Sequence, residues 1–153
     1  MVMETESMQW SGDHMLGYEP MDDTHQEFLD LIARLQTASD ACLPTLFDLM
    51  KAHLQSHFDQ ENAWMKETQF PPRDCHIDEH QAVLKSVEEV RVLLAQGNTQ
   101  ICRALINALA EWFPGHLAHL DSALAHWMNK QRFGGKPVVF RAMPRKDSAR
   151  TQF

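Results

Sequence analysis

The chain has 153 residues, enough for one domain with a buried core. Its formal net charge of −7 argues against nucleic acid as the main partner, because binding a phosphate backbone needs a basic surface. No apolar run approaches the length of a membrane span, and the acidic N-terminus lacks the basic and apolar regions of a signal peptide. Three widely spaced cysteines (Cys42, Cys75 and Cys102) favour reduced thiols over a disulfide framework, so we expect a cytoplasmic protein.

Two amphipathic helices are predicted in the first half of the chain, each with apolar residues at helical spacing. The first opens at residues 21–24, where Asp23 and Gln26 resemble a capping box. The second starts near Pro44, which is a favoured residue of the first helical turn, and it stops before Pro71.

Two more helices are predicted in the second half. The third follows Asp74 as its N-cap and ends at Gly97, and the fourth runs from Asn98 to about Met128. No strand-like alternation of useful length precedes residues 138–140. Four helices joined by short connections predict an all-α, up-down-up-down antiparallel four-helix bundle.

Two segments lie outside the predicted bundle of residues 21–130. Residues 1–20 form an N-terminal arm, with Trp10 and Tyr18 as its expected anchors. Residues 131–153 form a C-terminal extension, and from its Gly-Gly pair onward the tail carries a formal charge of +4, which leaves −11 for the rest. We expect a mobile tail lying partly against the acidic bundle. The alternative is a docking element for a protein client.

Nine histidines in 153 residues are unusual, and histidine is the commonest metal ligand. Residues four apart on a helix project from one face, and the second and third helices each carry such a pair on their apolar face. Buried imidazoles and carboxylates are costly unless they are paired or metal-bound. A lone buried histidine is more often a hydrogen-bonded core residue, but seven suitable residues from four helices favour a metal site. The candidate ligands are His25, His57, Glu61, His76, His80, His116 and Asp121.

Counting these donors predicts two metal positions. We take Glu61 and Asp121 to bridge both metals, together with one solvent-derived hydroxide. One metal is then completed to six ligands by the three histidines of the third and fourth helices, His76, His80 and His116. The other metal, with His25 and His57, has five ligands and keeps one position open for a small molecule. Imidazole and carboxylate donors without thiolate suit iron better than manganese or zinc.

The spacing of the ligands in the fourth helix is irregular. His116 and Asp121 are five residues apart, which in a regular helix turns them about 140° from each other. Either the helix widens locally into a π turn, which Pro114 would ease, or it stays regular and the ligands reach inward from two flanks. His53 and His119 each lie one turn from a candidate ligand, and we expect neither to bind metal because the donor count is already complete.

The order of the candidate ligands resembles the hemerythrin family, in particular the bacterial single-domain hemerythrins. The resemblance covers about residues 8–128 and includes Trp10, the Met-Asp-Asp-Thr-His sequence that leads to the first ligand, the His-Phe-x-x-Glu of the second helix, and Trp112 four residues before His116. It implies reversible dioxygen binding without enzymatic turnover. It also implies two iron ions bridged by Glu61, Asp121 and an oxo or hydroxo group.

The resemblance further implies where dioxygen binds. In this family it binds at the five-coordinate iron, which here would be the iron held by His25 and His57. An apolar pocket around that iron matters, because polarity and access decide between reversible binding and activation of oxygen. The expected pocket residues are Phe28, Phe58, Trp112, Phe113 and Leu117. Plain core packing is the alternative interpretation of these five, and it is compatible with the pocket.

Three other classes of function are alternatives for this sequence. An oxygen or redox sensor would change its contact with a partner, and the basic tail is the candidate docking element. A di-iron oxidase or peroxidase of the ferritin-like kind would carry Glu-x-x-His pairs, which this sequence lacks. The last alternative is a mononuclear or zinc-binding structural protein. We favour an oxygen carrier, store or local supplier, the function that the resemblance implies, over these three classes.

Overall fold

Helices fill most of residues 10–132, the part of the chain that the computed structural model describes. The helices are α1 (Glu19–Thr37), α2 (Leu43–Glu67), α3 (Arg73–Ala95), α4 (Thr99–His116) and α5 (Ser122–Arg132). A π turn over Leu117–Asp121 joins α4 to α5, so these two helices and the turn form the fourth member of a bundle. Short 3-10 turns cover Gly12–His14 and Asp40–Cys42, and the described residues contain no strand.

The helices pack in a ring. α1 packs against α2 and α4, and α3 packs against the same two helices. Short connections between sequential neighbours make the helices antiparallel. The predicted all-α four-helix bundle is therefore confirmed.

The interior of the bundle is divided into two apolar clusters. The larger cluster includes Phe28, Phe47 and Phe113. The smaller one lies toward the other end and includes Met21 and Met65. Along α1, His25 falls between Met21 of the smaller cluster and Phe28 of the larger one, and along α2, Glu61 falls between Phe58 and Met65 in the same way. All the predicted ligands are buried in this interior.

Two predicted helix starts are wrong. α1 begins at Glu19, with Pro20 in its first turn and no side-chain cap, so Asp23 lies inside the helix and forms no capping box. The pre-set backbone of proline suits the first turn and moves the start upstream. α3 begins at Arg73, so Asp74 lies in the first turn and is not the N-cap. A carboxylate there still interacts favourably with the positive end of the helix dipole.

Other helix ends agree with the sequence. The start of α2 is confirmed, with proline in its first turn, and the helix ends before Pro71. Asn98 caps α4, because its side chain accepts a hydrogen bond from the Ile101 N–H. α3 ends at Ala95, two residues before Gly97, whose φ of +92° is a left-handed conformation that glycine adopts without strain.

The predicted anchors of the N-terminal arm pack on the bundle. Trp10 is half-buried against the larger apolar cluster. Tyr18 is buried, with its ring 5.3 Å from that of Trp64 in an edge-on arrangement. The guanidinium of Arg132 lies 5.1 Å from the Tyr18 ring centroid, a cation–π contact that links the arm to α5.

Backbone hydrogen bonds fix the junction between the arm and α1. The buried carboxylate of Asp22 accepts from the N–H groups of Leu16 (2.8 Å) and Gly17 (3.1 Å). The amide of Asn129 donates to the Gly17 carbonyl oxygen at 3.1 Å. The chain therefore turns into α1 at a defined angle, six residues before His25.

Two predictions fall outside the described residues: the basic tail and residues 138–140. Among residues 10–132, no helix combines the length and the apolar content needed to cross a membrane.

Candidate metal centre

All seven predicted ligands meet in the interior of the bundle, and each exposes 4 % or less of its surface. α1 contributes one histidine, and α3 contributes two at a spacing of four residues. α2 contributes a histidine and a glutamate at the same spacing, so that each pair faces inward from one side of its helix. His116 ends α4, and Asp121 ends the π turn.

The donor atoms form two groups that share Glu61. In each group the atoms lie within 4.8 Å of one another. The three-histidine group consists of His76, His80 and His116 with Glu61 and Asp121. The two-histidine group consists of His25 and His57 with Glu61. This division corresponds to the two metal positions expected from the donor count.

Glu61 faces both groups. Its Oε2 lies 2.8 Å from His57 Nε2 and 3.5 Å from His25 Nε2. Its Oε1 lies 3.3 Å from His80 Nε2 and 3.6 Å from His76 Nε2. One oxygen is therefore directed to each histidine group, which is the arrangement of a bridging carboxylate.

Asp121 is oriented in the same way. Its Oδ2 lies 3.0 Å from His25 Nε2 in the two-histidine group. Its Oδ1 lies 3.0 Å from His76 Nε2 and 3.2 Å from His116 Nε2 in the three-histidine group. Both carboxylates thus span the two groups.

Most of these inward-facing atoms lack a well-directed hydrogen bond. No partner among the described residues satisfies the Nε2 atoms of His25, His76, His80 and His116, Glu61 Oε1 or either carboxylate oxygen of Asp121. Unpaired polar atoms in a protein interior are costly, so this arrangement favours a bound cation. Nitrogen and oxygen donors without thiolate fit iron. The residues present therefore fit a pair of iron ions.

The electrostatics of the cluster also favour cations. Burial would lower the pKa of His25 and of His76, but the nearby carboxylates of Asp121 and Glu61 outweigh burial and raise both pKa values to about 9. Burial would raise the pKa of each carboxyl group, but the surrounding imidazoles hold the pKa values of Glu61 and Asp121 well below their ordinary range. Burial lowers the pKa of His80. Both carboxylates are therefore ionised at neutral pH.

The π turn brings the two ligands of the fourth helix together. In this turn the Ser122 N–H donates to the Leu117 carbonyl oxygen, five residues back. The wider turn places His116 and Asp121 on one side of the helix, and Pro114 just before it has no N–H to donate. The predicted π turn is confirmed, and the alternative of a regular helix is wrong.

Four of the five predicted pocket residues belong to the larger apolar cluster, and Trp112 packs against it, but the five do not all lie beside the same ligands. The Phe113 ring lies 5.4 Å from that of His25, edge-on, and 5.2 Å from that of Phe28. Phe28 and Phe113 therefore lie beside the two-histidine group. Leu117 is 5 % exposed in the same cluster.

The other two pocket residues contact the three-histidine group. The Phe58 ring stacks on that of His80 at 4.0 Å, and it also lies 5.3 Å from the ring of His57. The Trp112 ring lies 4.4 Å from that of His116. Phe58 therefore touches both groups, whereas the structure places Trp112 against the three-histidine group.

The histidines that were expected not to bind metal lie outside both groups. His53 is half-buried, and its Nε2 lies 3.1 Å from the Thr24 carbonyl oxygen. His119 is exposed.

Sequence reasoning missed two residues that contact the ligands from outside. Asn62 Oδ1 lies 2.8 Å from His80 Nδ1. Glu79 Oε1 lies 2.9 Å from His116 Nδ1 and accepts from Trp112 Nε1 at 2.9 Å. Each is next to a candidate ligand in the sequence, but each reaches across to the following helix, and spacing within one helix does not show such contacts.

Comparisons with known proteins agree with this geometry. The family model of the hemerythrin HHE cation binding domain matches residues 16–127. The chain is 37 % identical over 121 residues to a bacteriohemerythrin of Ralstonia nicotianae, covering 79 % of this chain and 88 % of that protein. It is 27 % identical over 120 residues to a bacteriohemerythrin of Stenotrophomonas maltophilia, covering 76 % and 78 %. No solved structure matches significantly. The chain belongs to the hemerythrin family, and these relatives are bacteriohemerythrins.

Proposed function

We propose that this protein binds dioxygen reversibly at a non-haem di-iron centre in its bundle. Family membership and the buried histidine and carboxylate cluster support a di-iron, oxygen-binding protein in general. The observation that carries the proposal is the orientation of the carboxylates: Glu61 and Asp121 each direct one oxygen to the two-histidine group and the other to the three-histidine group.

The proposed assignment follows the two donor groups. Glu61 and Asp121, whose oxygens face both groups, would each hold both irons, together with a solvent-derived oxo or hydroxo group. The three-histidine group would hold one iron, and His25 and His57 would hold the other, which would leave a position for dioxygen. When bound, the ferrous pair supplies the two electrons through which dioxygen is held.

The side chains around the site contribute negative charge and apolar surroundings. The ionised carboxylates offset much of the positive charge of two metal ions, which lowers the cost of burying them. Phe28, Phe113 and Leu117 are each at most 5 % exposed, and we expect these three apolar side chains to limit the access of water to the site. A dry, apolar environment favours reversible binding over activation of oxygen.

We propose a carrier, store or local supplier of oxygen, and not an oxidase, because the sequence lacks the Glu-x-x-His pairs of ferritin-like enzymes. We place the protein in the cytoplasm, which is supported by its three free cysteines. Docking of a protein client through the basic tail stays a prediction.

The first test measures iron and oxygen binding directly. Full-length protein from iron-replete cells is expected to contain two irons per chain by mass spectrometry, because the donors form two groups. The reduced protein is expected to gain visible absorption under dioxygen and to lose it under argon through repeated cycles. A single zinc per chain would contradict the di-iron assignment. Irreversible oxidation in the first cycle would contradict reversible binding.

A further inference from the structure

The outward-facing nitrogens of the five histidines are supported unequally. In the three-histidine group, His80 Nδ1 lies 2.8 Å from Asn62 Oδ1, and His116 Nδ1 lies 2.9 Å from Glu79 Oε1. In the two-histidine group, the buried Nδ1 atoms of His25 and His57 have no hydrogen-bond partner among residues 10–132. The same is true of His76 Nδ1. A side chain outside the cluster therefore hydrogen-bonds two of the three histidines in the three-histidine group and none in the two-histidine group.

One carboxylate oxygen of Glu79 takes part in two hydrogen bonds. The oxygen that faces His116 also accepts from Trp112 Nε1 at 2.9 Å, and the Trp112 ring lies 4.4 Å from that of His116. The imidazole of His116 is thus held at its nitrogen by Glu79 and along its ring by Trp112. On the other side of the group, Phe58 stacks on His80 at 4.0 Å, so the second supported imidazole is also held by a ring.

A hydrogen-bond acceptor on the outer nitrogen of a metal-binding histidine has two effects. It fixes the tautomer that leaves the inner nitrogen free to bind metal, and it makes that nitrogen a stronger donor. Here the acceptors are a carboxylate and an amide oxygen, and both serve the same group. Loss of such a partner typically weakens metal binding by about 10- to 100-fold.

We infer that Glu79 and Asn62 are positioning residues that make the three-histidine position the tighter of the two metal positions. The protein therefore releases its two irons one after the other, beginning with the iron bound by His25 and His57. This inference rests on the proposed di-iron function and goes beyond it, because a di-iron oxygen-binding protein could equally hold its two irons with the same strength.

Stopped-flow removal of iron tests the inference. Reduced full-length di-iron protein is mixed under argon with an excess of a coloured ferrous chelator, and the absorbance of the chelate is followed. Two phases of equal amplitude are expected, each releasing one iron per chain. Glu79→Ala and Asn62→Ala are expected to accelerate the slow phase about tenfold or more and to leave the fast phase unchanged. Glu79→Gln keeps an acceptor oxygen, so its effect should be smaller.

The control is Glu89→Ala. Glu89 is an exposed carboxylate on α3, the helix that carries Glu79, and its ion-pair partner is Lys85. This substitution should alter neither phase. Release of both irons in one phase, or acceleration confined to the fast phase in either alanine variant, would overturn the inference. If Glu79→Ala fails to fold by circular dichroism, Asn62→Ala carries the same test. A parent protein that binds oxygen reversibly but loses both irons together would refute this inference alone, whereas a parent without two irons would refute the proposed function.

Discussion

Replacing Asp121 with alanine is expected to remove both irons from the protein. The Asp121 carboxylate lies 3.0 Å from His25 Nε2 and, through its other oxygen, 3.0 Å from His76 Nε2, so one substitution takes a donor from each metal position. Glu61→Ala should act in the same way, because Glu61 also faces both groups. Mass spectrometry of the purified variants should show a fall from two irons per chain to almost none.

Two further variants distinguish the loss of a bridging ligand from an unspecific loss of iron. His25→Ala removes a ligand from the two-histidine group alone and should leave about one iron per chain, by the same donor count. Asp59 is an exposed residue of α2 whose carboxylate accepts a hydrogen bond from the Gln55 side chain, so Asp59→Ala should leave both irons in place. Equal, partial loss of iron from Asp121→Ala, Glu61→Ala and His25→Ala would contradict the assigned bridges.

Replacing Leu117 with threonine is expected to speed autoxidation of the oxygenated protein several-fold. Leu117 is 5 % exposed and follows the candidate ligand His116 directly. A hydroxyl group at this position can hold a water molecule near the metal centre. Water there promotes autoxidation, in which the bound oxygen leaves as peroxide and not as dioxygen. The cost in the free energy of unfolding should be about 1–3 kcal/mol, as is typical for a polar group placed in a core. The decay of the visible absorption in air measures the rate.

Leu117→Val is the matched control, because valine has nearly the shape of threonine but no hydroxyl. If both variants autoxidise at the same rate, lost packing and not the hydroxyl explains the change. A threonine variant with full iron content and the parent's autoxidation rate would show that Leu117 does not line the oxygen site.

The sequence was informative wherever one helix carries its own signal. The pairs His57–Glu61 and His76–His80 could be predicted to face inward, because a spacing of four residues fixes their direction. The five-residue spacing from His116 to Asp121 is awkward in a regular helix, and for that reason a π turn was one of the two alternatives that the sequence offered.

Contacts between helices could not be predicted in the same way. Glu79 extends from α3 to a ligand at the end of α4, and Asn62 extends from α2 to His80 on α3. These contacts depend on the rotation and axial offset of packed helices, which a pattern within one helix does not define. The start of α1 was misplaced for a different reason: Pro20 suits the first helical turn and moves the start upstream of Asp23.

The complete burial of the seven polar ligands links the lifetime of the folded protein to the supply of iron. A metal that binds only the native state stabilises it by an amount that grows with the free metal concentration, about 2.7 kcal/mol when that concentration is 100 times the dissociation constant. The unfolded chain cannot bring ligands from four helices together, so this stabilisation belongs to the folded state. When iron is scarce, a larger fraction of chains is unfolded at any moment and open to proteases. The amount of this protein in a cell would then follow iron availability without any change in its synthesis.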